Sequence, residues 1–346
     1  MTLSNRQISE LAALAAGTQE GNKQKALLRC SHLALMWSEE AADLVAEGRM
    51  LSELEGVGKW LEEVLGALIE DPPEVPDPPP VRTDFLSYSE ALALLRDEPA
   101  WRDRLRGDLQ MHTTYSDGKA AVVEMAEAGV ALGYQYIAIT DHSKGLKIAG
   151  GMDETELEKQ TAEIDAVNRA LDERGERLHV LRALEMNIDP TGQGDMEDVA
   201  LDRLDLILGS FHSKLRITED QTQRYVAALR NPHLHVLGHP RGRKYNFRMG
   251  LSADWEVVFE TAASLDKAVE IDGYPDRQDI NLALLELARE AGCRISIGTD
   301  AHNQSEMRFI DVGVAAALKA GIEADRILNF MRWEEIVAWT ASLRAG

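Results

Sequence analysis

The sequence predicts an α/β fold with a mostly parallel sheet, preceded by a small all-helical unit. Three observations carry this. Short apolar runs recur and each ends in a polar turn, as in 108–112 (DLQMH), 137–142 (IAITDH), 207–212 (ILGSFH), 236–240 (VLGHP) and 295–302 (ISIGTDAH). Helical stretches of ordinary length lie between them, including 119–133, 153–175 and 279–292, and strands alternating with helices imply parallel pairing. Residues 71–80, DPPEVPDPPP, suit neither a helix interior nor a continuous ladder, so they divide the chain.

Upstream of that break, 5–17, 23–38, 38–48 and 59–71 carry apolar residues at helical spacing. The expected divisions are a helical domain over 1–71, a Pro-rich linker with a connecting helix over 72–103, and the α/β domain over 104–346. Within the first, 51–68 reads as two helical patterns joined at Gly56-Val57-Gly58. The glycines allow close backbone approach, and the amides opening the second helix, with Lys59 beside them, could hold a phosphate. A plain helix-joining turn has the same Gly-x-Gly form.

Composition sets the environment. With 45% hydrophobic residues among 346, the chain can fold without staples. Cys30 and Cys293 sit within helix or strand patterns and read as buried thiols, which suits a reducing cytoplasm. No charged segment and apolar core open the chain, and no apolar run approaches the roughly 20 residues that span a bilayer. A soluble protein with no membrane partner is expected. The net charge of −22 argues against a strongly basic nucleic-acid surface. Through residue 80 there are 6 Lys or Arg against 14 Asp or Glu, so any affinity for DNA should be weak. Phosphate substrates stay compatible, because bound cations invert the local potential.

Five of the nine histidines stand just past the apolar runs: His112, His142, His212, His239 and His302. If each run is a buried strand, these imidazoles share the C-terminal mouth of the sheet, where α/β folds place their ligands. Asp108, Asp117, Asp141, Glu185 and Asp300 can join them there. Mixed nitrogen and oxygen donors suit zinc or manganese, and iron also fits. His32, His179, His233 and His235 lie elsewhere in the pattern and read as structural or surface residues.

Divalent ions so held serve hydrolysis of phosphate esters by activated water. The phosphate needs cations to orient it. Arg241, Arg243, Lys244 and Arg248 follow His239, Lys214 follows His212, and Arg277 follows 269–276; all six are expected substrate contacts. Neither cysteine has a base partner, and Ser143 lacks a nucleophile-elbow context.

The segments 108–120 (DLQMHTTYSDGKA), 136–145 (YIAITDHSKG), 237–243 (LGHPRGR) and 298–303 (GTDAHN) together resemble the PHP family, named for polymerase and histidinol phosphatase. The likeness is in particular to the C-terminal PHP domain of bacterial family-X DNA polymerases, over about 104–335. Residues 21–65 are similar to the N-terminal helix-hairpin-helix domain of the same polymerases. The resemblance implies a distorted (β/α)7 barrel with two or three divalent metals at its C-terminal face. By that resemblance, His112, Glu185 and Asp300 hold one ion, with Gln110 where the family has an imidazole. Asp117, His142 and His302 hold a second, and Glu185 bridges to a third completed by His212 and His239. The same residues, Gln110 apart, would form the catalytic centre. Only residues 72 to 104 lie where such polymerases carry palm and fingers, so no polymerase activity is expected. The implied function is hydrolysis of phosphodiester or phosphomonoester bonds at DNA 3′ ends, with possible 3′–5′ exonuclease action and Gly56, Gly58 and Lys59 touching DNA. The alternatives are a small-metabolite phosphatase of histidinol-phosphatase type and a noncatalytic metal-binding scaffold on DNA.

Overall fold

A computed structural model describes residues 2–345. Four helices come first: α1 (Asn5–Ala16), α2 (Gly21–Ala34), α3 (Ala41–Ala46) and α4 (Lys59–Glu70). Ser4 and Gln7 form a capping box that starts α1. Ile8, Leu27, Trp37, Leu44 and Leu65 are buried together as the core of this unit. Asn5 is buried beside them, donating to Glu39 O at 2.7 Å and to Ser89 Oγ at 3.0 Å while accepting from Ala41 N at 2.9 Å. The stretch expected to be helical before the Gly56 turn is only a 3-10 turn, Leu51–Glu53. Ser52 donates to Glu62 Oε1 through both its backbone N and its Oγ, at 3.1 Å each, and Gly56 turns the chain at φ 79°.

The Pro-rich segment is anchored at its end. Arg82 bonds Glu10 on α1 through Nε and Nη2, each at 2.7 Å, and Asn246 Oδ1 at 2.9 Å. Next come α5 (Tyr88–Asp97) and the short α6 (Pro99–Arg102).

Seven strands follow, β1 (Gly107–Met111), β2 (Tyr136–Ile139), β3 (His179–Asn187), β4 (Leu206–Ser210), β5 (Val236–Leu237), β6 (Ala268–Asp272) and β7 (Arg294–Gly298). They pair in parallel in chain order. The principal helices after the successive strands are α7 (Val122–Ala131), α8 (Glu154–Glu173), α9 (Asp198–Leu201), α10 (Thr222–Leu229), α11 (Trp255–Ser264), α12 (Leu282–Glu290) and α13 (Ile310–Lys319), and α14 (Trp333–Ala345) ends the chain. The strands are buried nearly throughout, which is why they read as continuous apolar runs.

The ring of strands is nearly closed. At one end of the β1–β7 seam His112 N donates to Ala301 O at 2.8 Å and Asp300 N to Gln110 O at 3.1 Å. At the other the buried Asn329 stands in for a ladder, with Nδ2 donating to Gly107 O at 2.9 Å and Ile297 O at 2.8 Å, and Oδ1 accepting from Ile297 N at 2.8 Å.

Leu181, Ala183, Leu206, Leu208, Val236 and Ala268 pack in one apolar cluster, and α14 adds Ile336 and Trp339 to it. Side chains two apart share a face of a strand. Glu185 therefore follows Leu181 and Ala183, and Glu270 and Asp272 follow Ala268, each moving from the apolar layer toward the polar mouth. Among the described residues no helix is long and apolar enough to cross a membrane.

Candidate metal centre

The strand ends bring five imidazoles and three carboxylates together at this mouth. His112 Nε2 lies 2.9 Å from Asp300 Oδ1 and 3.4 Å from Glu185 Oε2. His142 reaches Glu185 Oε2 through Nδ1 at 3.1 Å and Asp117 Oδ1 through Nε2 at 3.6 Å. On the other side of Glu185, Oε1 stands 3.1 Å from His212 Nε2 and 2.6 Å from His239 Nε2. His302 Nε2 is 3.3 Å from Asp117 Oδ1, and its Nδ1 lies 2.7 Å from Asp300 O.

Local folding sets these positions. Gly118 lets the loop after β1 fold back, since a Cβ there would come within 2.5 Å of the His112 carbonyl; this carries Asp117 over the rings. Asp300 (φ 52°) and His239 (φ 21°) hold positive φ, a strained choice for residues with side chains. Backbone bonds hold both: His239 N donates to Glu270 Oε2 at 2.7 Å, and Asp300 N to Gln110 O at 3.1 Å. The His112 ring is stacked between His142 and His302, with centroids 4.4 and 4.6 Å away.

Three groups have the donors and spacing for a cation: His112, Asp117, His142 and His302; His142, Glu185 and His212; and His112, Glu185 and Asp300. Tetrahedral ligands about 2.1 Å from an ion stand about 3.4 Å from one another, close to most separations above. Both His112 nitrogens, His142 Nδ1 and Glu185 Oε2 are buried with no hydrogen-bond partner. Orphaned buried donors and acceptors are costly, and bound cations would complete His142 Nδ1, Glu185 Oε2 and one His112 nitrogen. The donor set therefore fits two or three divalent ions, with Glu185 common to two of the groups.

Electrostatics follow from this crowding. Burial opposes the charge on Glu185, yet the facing rings of His142, His239 and His212 hold its carboxyl well below the usual range. Burial likewise disfavours charge on His239, but Glu185 holds its pKa up, to about 10. Asp300 is held low against its burial by Arg277, whose Nη1 sits 2.9 Å from Oδ2, and by His112.

Two carboxylates expected at the centre do other work. Asp108 accepts from Thr299 N at 3.1 Å and Thr299 Oγ1 at 2.5 Å, bracing the β1–β7 seam. Asp141 accepts from Thr113 Oγ1 and Gln160 Nε2, each at 2.6 Å, and fixes the loop after β1. Neither joins a candidate metal group among the described residues. Gln110 is buried with its amide nitrogen toward Glu270, 2.7 Å from Oε1 and 3.1 Å from Oε2. Glu270 and Asp272 escaped the sequence reading. Carboxylates two apart in the apolar run 268–272 were the available signal. Asn187, at the end of β3, places its Oδ1 3.3 Å from His212 Nδ1 and orients that ring.

The expected basic contacts divide. Arg277 lies at the centre, paired with Asp300, and Lys244 pairs with Asp276 at 3.3 Å on the wall of the cleft in front of it. Arg243 turns away instead: it is buried, donates to Thr83 O at 2.9 Å and stacks 3.8 Å from the Phe85 centroid. Arg241 bonds Asn281 Oδ1 at 3.0 Å and Met249 O at 2.9 Å, and Arg248 Nε bonds Gly242 O. Arg243 thus braces the loop after β5 against the connecting segment, while Arg241 and Arg248 are engaged by bonds within that loop and to Asn281, so these three expected substrate contacts are occupied by the protein's own groups. Lys214 is exposed on the loop after β4. Gly58 caps α4 and Lys59 is exposed in its first turn. His32, expected to be merely structural, lines the cleft at the mouth.

The family model for the PHP domain matches residues 108–299, more than half of the chain. The DNA polymerase/3′-5′ exonuclease PolX of Bacillus subtilis (strain 168) is 35% identical over 266 residues, covering 76% of this chain and 45% of its own length. The chain thus spans less than half of that relative. A probable phosphatase of Thermoanaerobacter sp. (strain X514) is 27% identical over 235 residues, 64% of this chain and 89% of its own. A solved histidinol phosphate phosphatase from Lactococcus lactis subsp. lactis Il1403, complexed with zinc, L-histidinol and phosphate, aligns with TM-score 0.46 and 16% identity over 63% of this chain and 94% of its own.

Proposed function

Because the chain belongs to the PHP domain family, we propose that its metal-dependent hydrolase barrel acts on phosphoester bonds at DNA 3′ ends. The observation that carries the reading is Glu185, a fully buried carboxylate within 3.4 Å of four imidazoles. His112, Glu185 and Asp300 would hold one ion, Asp117, His142 and His302 a second, and Glu185, His212 and His239 a third. Zinc and manganese match these donors, and iron is compatible. Such ions supply Lewis-acid charge to a phosphate ester and lower the pKa of water. The chain's own part is orientation: Asn187 sets His212, Glu270 sets the His239 backbone, and Arg277 balances Asp300 at the floor of the cleft.

The DNA assignment is supported by the 35% identity to a relative named as a 3′-5′ exonuclease. In that reading the Gly56–Gly58 turn and Lys59 lie on the same helical unit as the cleft wall. A small phosphorylated metabolite is the second reading. It is favoured by the net charge of −22 and by relatives named as probable phosphatases. End-labelled single-stranded, recessed and 3′-phosphorylated DNA, incubated with the manganese-loaded protein, decides between them. Loss of nucleotides or phosphate from the 3′ end, absent in His239→Ala, is the expected result. Turnover of histidinol phosphate with no attack on DNA overturns the assignment.

A further inference from the structure

The cleft in front of the metal centre is not made by the barrel alone. It encloses about 810 Å³, and α2 forms one wall with Arg29, His32 and Leu33 while Asp117, Asp300 and His302 form its floor. Helix α2 is held there by buried contacts. Ser31 Oγ donates to Tyr245 OH at 3.4 Å, Tyr88 N donates to Leu35 O at the end of the helix at 2.8 Å, and the His32 ring meets Tyr245 edge-on at 5.4 Å. Lys119, Lys244 and Phe247 face α2 across the gap.

Two features of these walls call for a ligand. Phe247 is 58% exposed on a tight turn, and the Arg216 guanidinium lies 4.5 Å from its centroid. Among the described residues, Arg29 and Lys119 of these walls form no ion pair, although carboxylates outnumber Lys and Arg by 59 to 37. Free cations and an exposed ring within one cleft suit the phosphates and bases of a single strand. A cleft of this volume falls within the range of ligand pockets, about 300–1,000 Å³.

We propose that the cleft between α2 and the barrel mouth receives a single-stranded 3′ terminus, with a base stacked on Phe247 and phosphates held by Arg29 and Lys119. The inference rests on the phosphoesterase reading for the chemistry at the cleft floor. It moves the principal DNA contact from the Gly56–Gly58 turn to the neighbouring face of α2.

The test is fluorescence anisotropy of the manganese-loaded full chain with a labelled oligonucleotide whose 3′-terminal linkages are phosphorothioates, at fixed ionic strength. Arg29→Glu should raise Kd at least tenfold and Phe247→Ala about fivefold, with Arg203→Glu as a charge-matched control on a distant surface. A blunt duplex should bind at least tenfold more weakly than the single strand. Wild-type Kd in both cleft variants, equal binding of the duplex, or no binding of the single strand overturns the inference. Hydrolysis of bis-p-nitrophenyl phosphate by the wild type is scored separately. Its failure overturns the phosphoesterase reading, while the anisotropy still decides the role of the cleft.

Discussion

Gln110 and Glu270 form a buried pair beneath the metal centre, with the amide nitrogen 2.7 Å from one carboxylate oxygen and 3.1 Å from the other. Burial pushes the Glu270 carboxyl well above its usual range, so the donated bonds of Gln110 and of the His239 backbone satisfy it. Gln110→Ala should lower unfolding stability by about 1–3 kcal/mol, the cost of an unsatisfied buried group, without changing metal stoichiometry. Denaturation midpoints and elemental analysis check this. Loss of one ion per chain at unchanged stability would show instead that Gln110 is a ligand.

Glu185 is shared by two candidate metal groups. Glu185→Gln should cost at least one bound ion per chain and reduce phosphodiester turnover on the order of 100-fold or more. His142→Ala should produce a comparable loss of metal. Reconstitution with manganese or zinc to wild-type content in both variants would refute the sharing.

Chelation should lower Tm, because it exposes the orphaned His112, His142 and Glu185 atoms to each other without an ion. Adding back manganese or zinc at 100 times its Kd should restore about 2.7 kcal/mol. A Tm independent of chelator and of added metal is the contrary outcome.

Arg243 braces the connecting segment through Thr83 O and the Phe85 ring. Arg243→Ala should therefore reduce stability by about 1–3 kcal/mol and change KM for a small phosphodiester less than twofold. A large rise in KM at unchanged Tm would restore the substrate role that its position beside His239 in the chain suggests.

His235 lies far from the metal centre, and its Nδ1 accepts from Ile207 N at 3.1 Å. Burial, aided by Arg344 and Lys267, lowers its pKa to about 3. The unfolded chain takes up the proton first, near pH 6.5. The stabilising contribution is thus complete above that pH and is lost as pH falls toward 3, at about 1.4 kcal/mol per pH unit. Unfolding free energies of wild type and His235→Asn between pH 6.5 and 4.5 should diverge by that slope; parallel curves refute it.

Much of the architecture was legible because its determinants are local. Strands buried on both faces read as apolar runs, and α1 and α8 announce themselves by capping boxes at Ser4 and Asp153. Errors fell where a distant residue intervenes. The helix expected from 38 begins at Ala41, where Asn5 on α1 takes the Ala41 amide and Glu40 takes the Asn5 amide. The pattern at 51–55 closes into one 3-10 turn because Glu62, ten residues on, binds Ser52.

The sequence by itself determined which strand ends carry the five clustered histidines, because strand alternation and strand ends are properties of neighbouring residues. His112, Asp117, His142, Glu185, His212, His239, Asp300 and His302 were all identifiable on that basis with the family resemblance. Only the tertiary structure decided what these side chains meet. Gln110 turns to Glu270, Arg243 turns to a segment 160 positions earlier, and α2 lies across the cleft through contacts such as Ser31 with Tyr245, 214 positions apart. Such pairings depend on how separate elements pack. No periodicity within either element records them.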